Sequence, residues 1–167
     1  MNATVPGALR AAPSFHADPA AAYIAATSFD KPTLVISRNR VAAQYDALHK
    51  GLGAVHIHYA VKANPAPEII RLLVKKGSGF DAASRAEIEL CLSQGAKPEK
   101  ISFGNTIKRA SDIAFAHSAG VTLFAADSEA ELDKIAAHAP GARVYLRLIV
   151  ENSMADWPLS RKFGCAG

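Results

Sequence analysis

The stretch Tyr59-Ala60-Val61-Lys62-Ala63-Asn64-Pro65 places one lysine at the end of an apolar run and directly before a turn signal. Residues 54–62 have the character of a strand, which the Asn-Pro pair ends. Because side chains alternate across a strand, Ala60 and Lys62 share one face. A lysine amine at the mouth of a strand, above a small alanine, has room to carry a bulky carbonyl compound. The alternative is a solvated lysine whose stem lies along apolar surface.

The rest of the chain alternates strand and helix signals. Strands are predicted at 33–37, 54–62, 79–82, 101–104, 121–125 and 143–150, with helical stretches between them. Repeated strand–helix units with short connections predict a parallel sheet with right-handed crossovers. Periodicity alone leaves an open doubly wound sheet and a closed barrel as alternatives. No Gly-rich dinucleotide fingerprint follows a strand, which disfavours the doubly wound option.

Three helix starts are marked by local signals. Pro67 stands where a helix begins, a position at which the missing N–H costs nothing. Ser84 with Glu87, and Ser128 with Glu131, have the spacing of capping boxes. These pairs predict helices that start just after each serine.

Composition places the chain among ordinary globular proteins. It has 167 residues, of which 50% are hydrophobic and 20% charged. The net charge of +4 comes from dispersed basic residues that do not alternate with aromatic ones, so nucleic acid is not an expected partner. No apolar stretch is long enough to span a bilayer, and the N-terminus lacks a secretory pattern, so no membrane partner is expected.

The two cysteines have neither metal-type spacing nor the pattern of a disulfide framework. Cys91 falls in an apolar helical pattern, which predicts a buried, reduced thiol and a cytoplasmic location. His56 and His58 share the predicted face of Lys62, but no third ligand accompanies them. We therefore predict no metal site, and we interpret the two histidines as hydrogen-bonded interior residues.

Four motifs carry a family resemblance. In chain order they are Tyr59–Pro65, Gly79-Phe80-Asp81-Ala82-Ala83-Ser84, Leu146-Arg147-Leu148 and Pro158-Leu159-Ser160-Arg161-Lys162-Phe163-Gly164. Together they resemble the fold-type III pyridoxal-phosphate decarboxylases, and most closely the ornithine decarboxylase group within the ornithine/diaminopimelate/arginine decarboxylases. The resemblance runs from about Pro32 to Gly164.

The resemblance implies an α/β fold, the alanine racemase-like (β/α)8 TIM barrel. The strand at 33–37 would belong to a separate β domain, and the lysine strand would be the first barrel strand. Five barrel strands are then predicted, whereas a closed barrel needs eight and takes roughly 250 residues. We therefore expect an incomplete barrel from the N-terminal portion of an enzyme, with an N-terminal arm at 1–30 and a partial pyridoxal-phosphate-binding barrel domain at 31–167.

The resemblance also implies roles for single residues. Lys62 would bind pyridoxal 5'-phosphate through an imine, with Ala60 beneath it and Asp81 nearby to modulate its charge. Glu87 matches an active-site carboxylate, although the capping box explains it equally well. Arg147 matches a residue near the active site, with a strand-end salt bridge as the alternative. The segment Gly104–Lys108 resembles an Asn-Pro-x-Lys segment without its proline, and we assign it no role beyond loop structure.

The function implied is pyridoxal-phosphate-dependent decarboxylation of a small-molecule basic amino acid, with ornithine to putrescine in polyamine biosynthesis as the first choice. A homodimer is expected for the full-length enzyme, and the present chain alone is expected to be inactive. Two alternatives remain open. One is a non-catalytic truncated or regulatory chain. The other is a different family member, acting on lysine, arginine, diaminopimelate or carboxynorspermidine, or binding the cofactor without decarboxylation.

Overall fold

The computed structural model describes residues 19–149 and 163–166. The chain divides into two compact units, Met1–Arg40 and Val41–Gly167. The described part of the first unit contains helix α1, Pro19–Ala26, which places a short helix in the predicted N-terminal arm. Within the described ranges, no helix is both long and apolar enough to cross a membrane.

The strand predicted at 33–37 is wrong. This segment has no regular secondary structure, and Leu34 is 84% exposed. A β-branched run forms a strand only when a neighbour satisfies its backbone N–H and C=O groups. Within the described residues, no strand pairs with this segment.

The second unit is built on a parallel sheet. Its five strands are β1 His58–Ala60, β2 Gly79–Ala82, β3 Ile101–Phe103, β4 Leu123–Ala126 and β5 Arg143–Leu146. They pair in the order β1-β2-β3-β4-β5, and every pair is parallel. Strands that follow one another in both sequence and space form part of a (β/α) barrel, whereas a doubly wound sheet reverses its order. The predicted partial barrel with five strands is confirmed.

Helices connect the strands. Their bounds are α2 Arg38–Leu52, α3 Pro67–Lys75, α4 Arg85–Ser93, α5 Ala110–Ser118 and α6 Glu129–His138, with 3-10 turns at Val61–Ala63 and Pro98–Lys100. Pro67 occupies the first turn of α3, as predicted. The backbone N–H of Glu87 donates to Ser84 Oγ at 3.3 Å, which confirms the serine cap of α4.

The second predicted capping box is wrong. The Ser128 side chain makes no capping hydrogen bond to α6. The Glu131 carboxylate is buried and binds Lys108 and Lys134 instead. A capping box needs a glutamate that is free to fold back on its own helix terminus, and two lysine ammonium groups hold this one elsewhere.

Two strands are shorter than predicted by at least four residues. The lysine strand covers only His58–Ala60 of 54–62, so Lys62 lies in the following 3-10 turn, and β5 ends at Leu146 within the predicted 143–150. The lysine strand ends before the Asn64-Pro65 pair, because the Asn64 N–H donates to Val61 O at 3.2 Å and closes the 3-10 turn. Asn64 Oδ1 also accepts from Ala66 N at 3.0 Å, which fixes the approach to α3.

The two faces of the sheet differ in character. The face towards the helices carries Phe80, Phe103 and Phe124, all buried. They pack in a cluster with apolar helix residues that include Ile70, Leu73, Ile88, Ile113 and Ile135. Alternation along the strands therefore sends the intervening residues to the opposite, inner face of the barrel.

Candidate active site

The predicted site residues collect at one edge of the sheet. Ala60 is the last residue of β1 and pairs in register with Asp81 of β2. Lys62 lies in the turn just beyond β1, and Arg147 directly follows β5. Because the strands are parallel, these positions share the carboxyl edge, where barrel enzymes carry their active sites.

The Lys62 side chain is exposed and has no hydrogen-bond or ion-pair partner within the part of the chain that the structure describes. Its neighbour Val61 is completely buried, so the turn that carries the lysine is anchored in the core. Ala60 is half-buried at the end of the strand. An anchored turn with an unengaged amine, beside a small side chain, leaves Lys62 accessible to a carbonyl compound.

Asp81 lies half-buried on the inner face of β2. Its Oδ1 accepts a hydrogen bond from Ser102 Oγ at 3.1 Å. The carboxylate occupies the space beside Gly104, where an added Cβ would overlap Oδ1. A glycine at the end of β3 therefore permits this position of the carboxylate.

Both histidines are exposed, so the prediction that they are interior residues is wrong, although His58 makes hydrogen-bonding contacts with the two neighbouring strands. Its Nδ1 lies 3.4 Å from Phe80 O and 3.5 Å from Ser102 Oγ. Within residues 19–149 and 163–166, no cluster of three or more His, Cys, Asp or Glu side chains is placed to hold a metal ion.

Tyr145 on β5 lies on the same inner face of the sheet as Ser102 and Asp81, although no motif singles it out. Burial, followed by the charge of the Asp81 carboxylate, raises the pKa of the Tyr145 phenol, while Ser102 and the charge of Arg147 oppose the rise. The signal available was alternation, since Tyr145 is two residues from Arg147 in the same strand region.

The hydrogen bonds of Glu87 support the capping alternative. Its Oε2 accepts from Ala83 N at 2.6 Å, just before α4. With the Ser84 cap, the two side chains satisfy backbone donors at the start of the helix. A catalytic role for Glu87 stays a prediction.

Arg147 has a different partner from the salt bridge considered as its alternative role. Its guanidinium carbon lies 5.3 Å from the centroid of the Phe163 ring, and the side chain is exposed. The Arg147 backbone carbonyl accepts from Cys165 N at 2.9 Å, which joins the 163–166 segment to the end of β5. Positions 158–162 of the last predicted motif lie outside the described residues.

A buried ion pair lies next to the site and contradicts the assignment of Lys108 to simple loop structure. Lys108 Nζ, with no exposed side-chain surface, lies 2.8 Å from Glu131 Oε1. It also donates to Asn105 O at 2.8 Å and to Ala125 O at 2.6 Å. Lys134 binds the other Glu131 oxygen at 2.6 Å. The loop after β3 is thus tied to β4 and α6, and only the likeness to an Asn-Pro-x-Lys segment pointed to this lysine.

Comparison with known proteins identifies the family. Residues 38–167 match the family described as pyridoxal-dependent decarboxylase, pyridoxal binding domain. The chain is 38% identical over 132 residues to ornithine decarboxylase of Schizosaccharomyces pombe, covering 79% of this chain and 31% of that protein. It is 40% identical over 115 residues to antizyme inhibitor 2 of Xenopus laevis, covering 69% of this chain and 25% of that protein.

A solved structure agrees with these matches. The arginine decarboxylase of Paramecium bursaria Chlorella virus superposes with a TM-score of 0.73 at 32% identity, covering 77% of this chain and 36% of that one. The chain thus spans between a quarter and a third of the length of these two curated relatives. The chain belongs to the pyridoxal-dependent decarboxylase family, and the matched region is the pyridoxal-binding domain of that family.

Proposed function

We propose that Lys62 carries pyridoxal phosphate and that the protein containing this chain decarboxylates a basic amino acid, with ornithine to putrescine as the first candidate reaction. The observation that carries the proposal is the accessible Lys62 amine at the carboxyl edge of the sheet, beside the strand that bears Asp81. The family supplies the cofactor class, since the matched region is a pyridoxal-binding domain.

The residues present fit the carbonyl end of this cofactor. When bound, pyridoxal phosphate supplies an electron sink for the bond-breaking step. Lys62 offers the amine just beyond β1, and the strand ends in the small side chain of Ala60. The Asp81 carboxylate provides a negative charge on the neighbouring strand, which favours the positively charged form of a nitrogen near it. Arg147 adds an exposed cation at the same edge, available to an anionic group.

The substrate class rests on the relatives, which include an ornithine and an arginine decarboxylase. Both act on amino acids with a basic side chain. Ornithine is placed first because Phe80 and the 159–164 stretch resemble the ornithine decarboxylase group. We further propose a homodimer in the cytoplasm. Sedimentation of the purified protein at two concentrations tests the dimer, and imaging of a tagged protein tests the location.

A non-catalytic regulatory role is the second candidate. The specific observation in its favour is the 40% identity to antizyme inhibitor 2, a relative that is named as an inhibitor of another protein. Lys62 and Asp81 are both present here, and they favour the enzyme. The two candidates differ in whether a Lys62 adduct forms and in whether carbon dioxide is released.

The test combines adduct mapping with a substrate assay. The full-length protein that contains this chain is incubated with pyridoxal phosphate, reduced with borohydride and digested, and the modified peptide is identified by mass. The adduct should map to Lys62 and disappear in Lys62→Ala, while Lys97→Ala, at an exposed lysine, should retain it. Carbon dioxide release is then measured with ornithine, lysine and arginine.

Each outcome has a separate meaning. An adduct on Lys62 with release from one of these amino acids supports the proposal and identifies the substrate. An adduct without release from any of them refutes the decarboxylase and favours the regulatory role. An unmodified Lys62 refutes the cofactor assignment itself.

A further inference from the structure

A buried hydroxyl lies behind Asp81 on the inner face of the sheet. Ser102 of β3 pairs in register with Asp81 and is only 4% exposed. Its Oγ lies 3.1 Å from Asp81 Oδ1 and also approaches Phe80 O at 3.3 Å and His58 Nδ1 at 3.5 Å. The shortest of these contacts goes to the carboxylate. The protein interior, and not solvent alone, therefore fixes one oxygen of Asp81.

The Ser102 hydroxyl has one proton to donate, and the Asp81 carboxylate can only accept. Ser102 Oγ therefore donates to Asp81 Oδ1, which is its shortest contact. Tyr145 lies on the same inner face of the sheet, two strands away from Ser102.

Gly104 limits where the carboxylate can lie. A Cβ at this position would overlap Asp81 Oδ1, the same oxygen that Ser102 binds. Space at Gly104 and the hydroxyl of Ser102 thus select one position for Asp81. Neither feature is needed to bury the core, because both lie on the inner face of the sheet.

We propose that Ser102 is a positioning residue that holds the Asp81 carboxylate at the carboxyl edge, on the strand next to the one that leads to Lys62. The functional consequence rests on the proposed function, in which Asp81 acts next to a cofactor on Lys62. Hydrogen bonds to charged groups are stronger than those between neutral groups, and a tenfold change in a rate or an equilibrium corresponds to about 1.4 kcal/mol. Loss of the Ser102 hydroxyl is therefore expected to slow formation of the Lys62 adduct about tenfold.

The first readout needs no cofactor. The chain is labelled with 13C-aspartate, and the Asp81 carboxyl resonance is assigned by its loss in Asp81→Asn. Ser102→Ala should shift this resonance, and Ser102→Thr, which keeps a hydroxyl, should restore it. Ser118→Ala is the matched control, because the Ser118 hydroxyl is exposed and binds Phe115 O at 2.8 Å on a distant helix.

The second readout is the rate at which pyridoxal phosphate becomes trapped on Lys62. A shifted Asp81 resonance with slower trapping in Ser102→Ala, both rescued by Ser102→Thr, supports the proposal. An Asp81 resonance that is unchanged in Ser102→Ala overturns it, whatever the trapping rate. A shifted resonance in a protein whose parent form traps no cofactor supports the placement of the carboxylate by Ser102 and refutes the proposed function instead.

Discussion

The buried ion pair between Lys108 and Glu131 offers the sharpest test of how this fold is held together. The Lys108 side chain has no exposed surface and that of Glu131 is 4% exposed. Burial lowers the pKa of the Lys108 ammonium, and the Glu131 carboxylate opposes that shift. The ammonium therefore depends on Glu131 to remain charged inside the protein.

Glu131→Gln keeps the shape of the side chain and removes its charge. The variant leaves Lys108 buried without its counter-ion, and Lys134 loses the same ion-pair partner. Removal of one partner from a buried pair costs about 3–5 kcal/mol, so the free energy of unfolding should fall by that amount. Glu129→Gln is the matched control, because Glu129 lies in the same first turn of α6 but is exposed, and its loss should cost less than about 0.5 kcal/mol.

The assay is urea denaturation followed by far-ultraviolet circular dichroism, with comparison of midpoints at constant slope. The double variant Lys108→Met/Glu131→Leu should lie between Glu131→Gln and the parent. It removes both buried charges, but it also takes a donor from the carbonyls of Asn105 and Ala125. A loss below 1 kcal/mol in Glu131→Gln would refute the reasoning, as would a double variant less stable than the single one.

Two further predictions concern α4. Ser84→Ala should lower the free energy of unfolding by about 1 kcal/mol, because the N-cap hydrogen bond is lost. Ser84→Asp, which can also cap the helix, should keep most of that stability in the same urea assay. Burial, and then Glu87, raise the pKa of the Cys91 thiol from 9.0 to about 12. Because the unfolded chain loses this proton first, stability should decline between pH 9 and 12 more steeply in urea titrations of Cys165→Ser than in those of Cys91→Ala/Cys165→Ser. Iodoacetamide at pH 8.5 should label Cys165 at least tenfold faster than Cys91, because the Cys91 thiol is buried. Equal labelling rates would contradict that burial.

The sheet could be predicted because its signals are local and agree with one another. Each strand from Gly79–Ala82 to Arg143–Leu146 is a short apolar run next to a turn or a cap, and the run is the right length for a strand with helices on one face. The segment 33–37 carries the same β-branched signal and is not a strand. This segment has no pairing strand among the described residues. The sequence of a segment cannot show whether another strand will pair with it, because pairing depends on the whole fold.

The site could be predicted only where a motif names the residue. Lys62 and Asp81 stand in motifs within the region that matches the family, and the parallel sheet places their strands side by side, while their roles stay predictions. Ser102 and Tyr145 carry no motif, and their contacts arise from a register between strands that are distant in sequence. Glu131 had a plausible local role as a helix cap, but a long-range partner, Lys108, replaced it. An unpaired buried charge costs more free energy than a missing helix cap, so the Glu131 carboxylate pairs with the lysine and does not cap the helix.

The core residues and the polar candidate site residues lie on opposite faces of the sheet. The phenylalanines at 80, 103 and 124 are buried on the outer face, where they pack with the helices and supply the core. Asp81, Ser102 and Tyr145 lie on the inner face, and Lys62 is exposed beyond its edge. An exposed side chain without a partner contributes little to stability, so Lys62→Ala should abolish cofactor trapping while shifting the urea midpoint no more than an ordinary surface substitution does. A large loss of stability in Lys62→Ala would mean that the lysine is engaged in the folded protein, and the inference that its amine is accessible would be wrong.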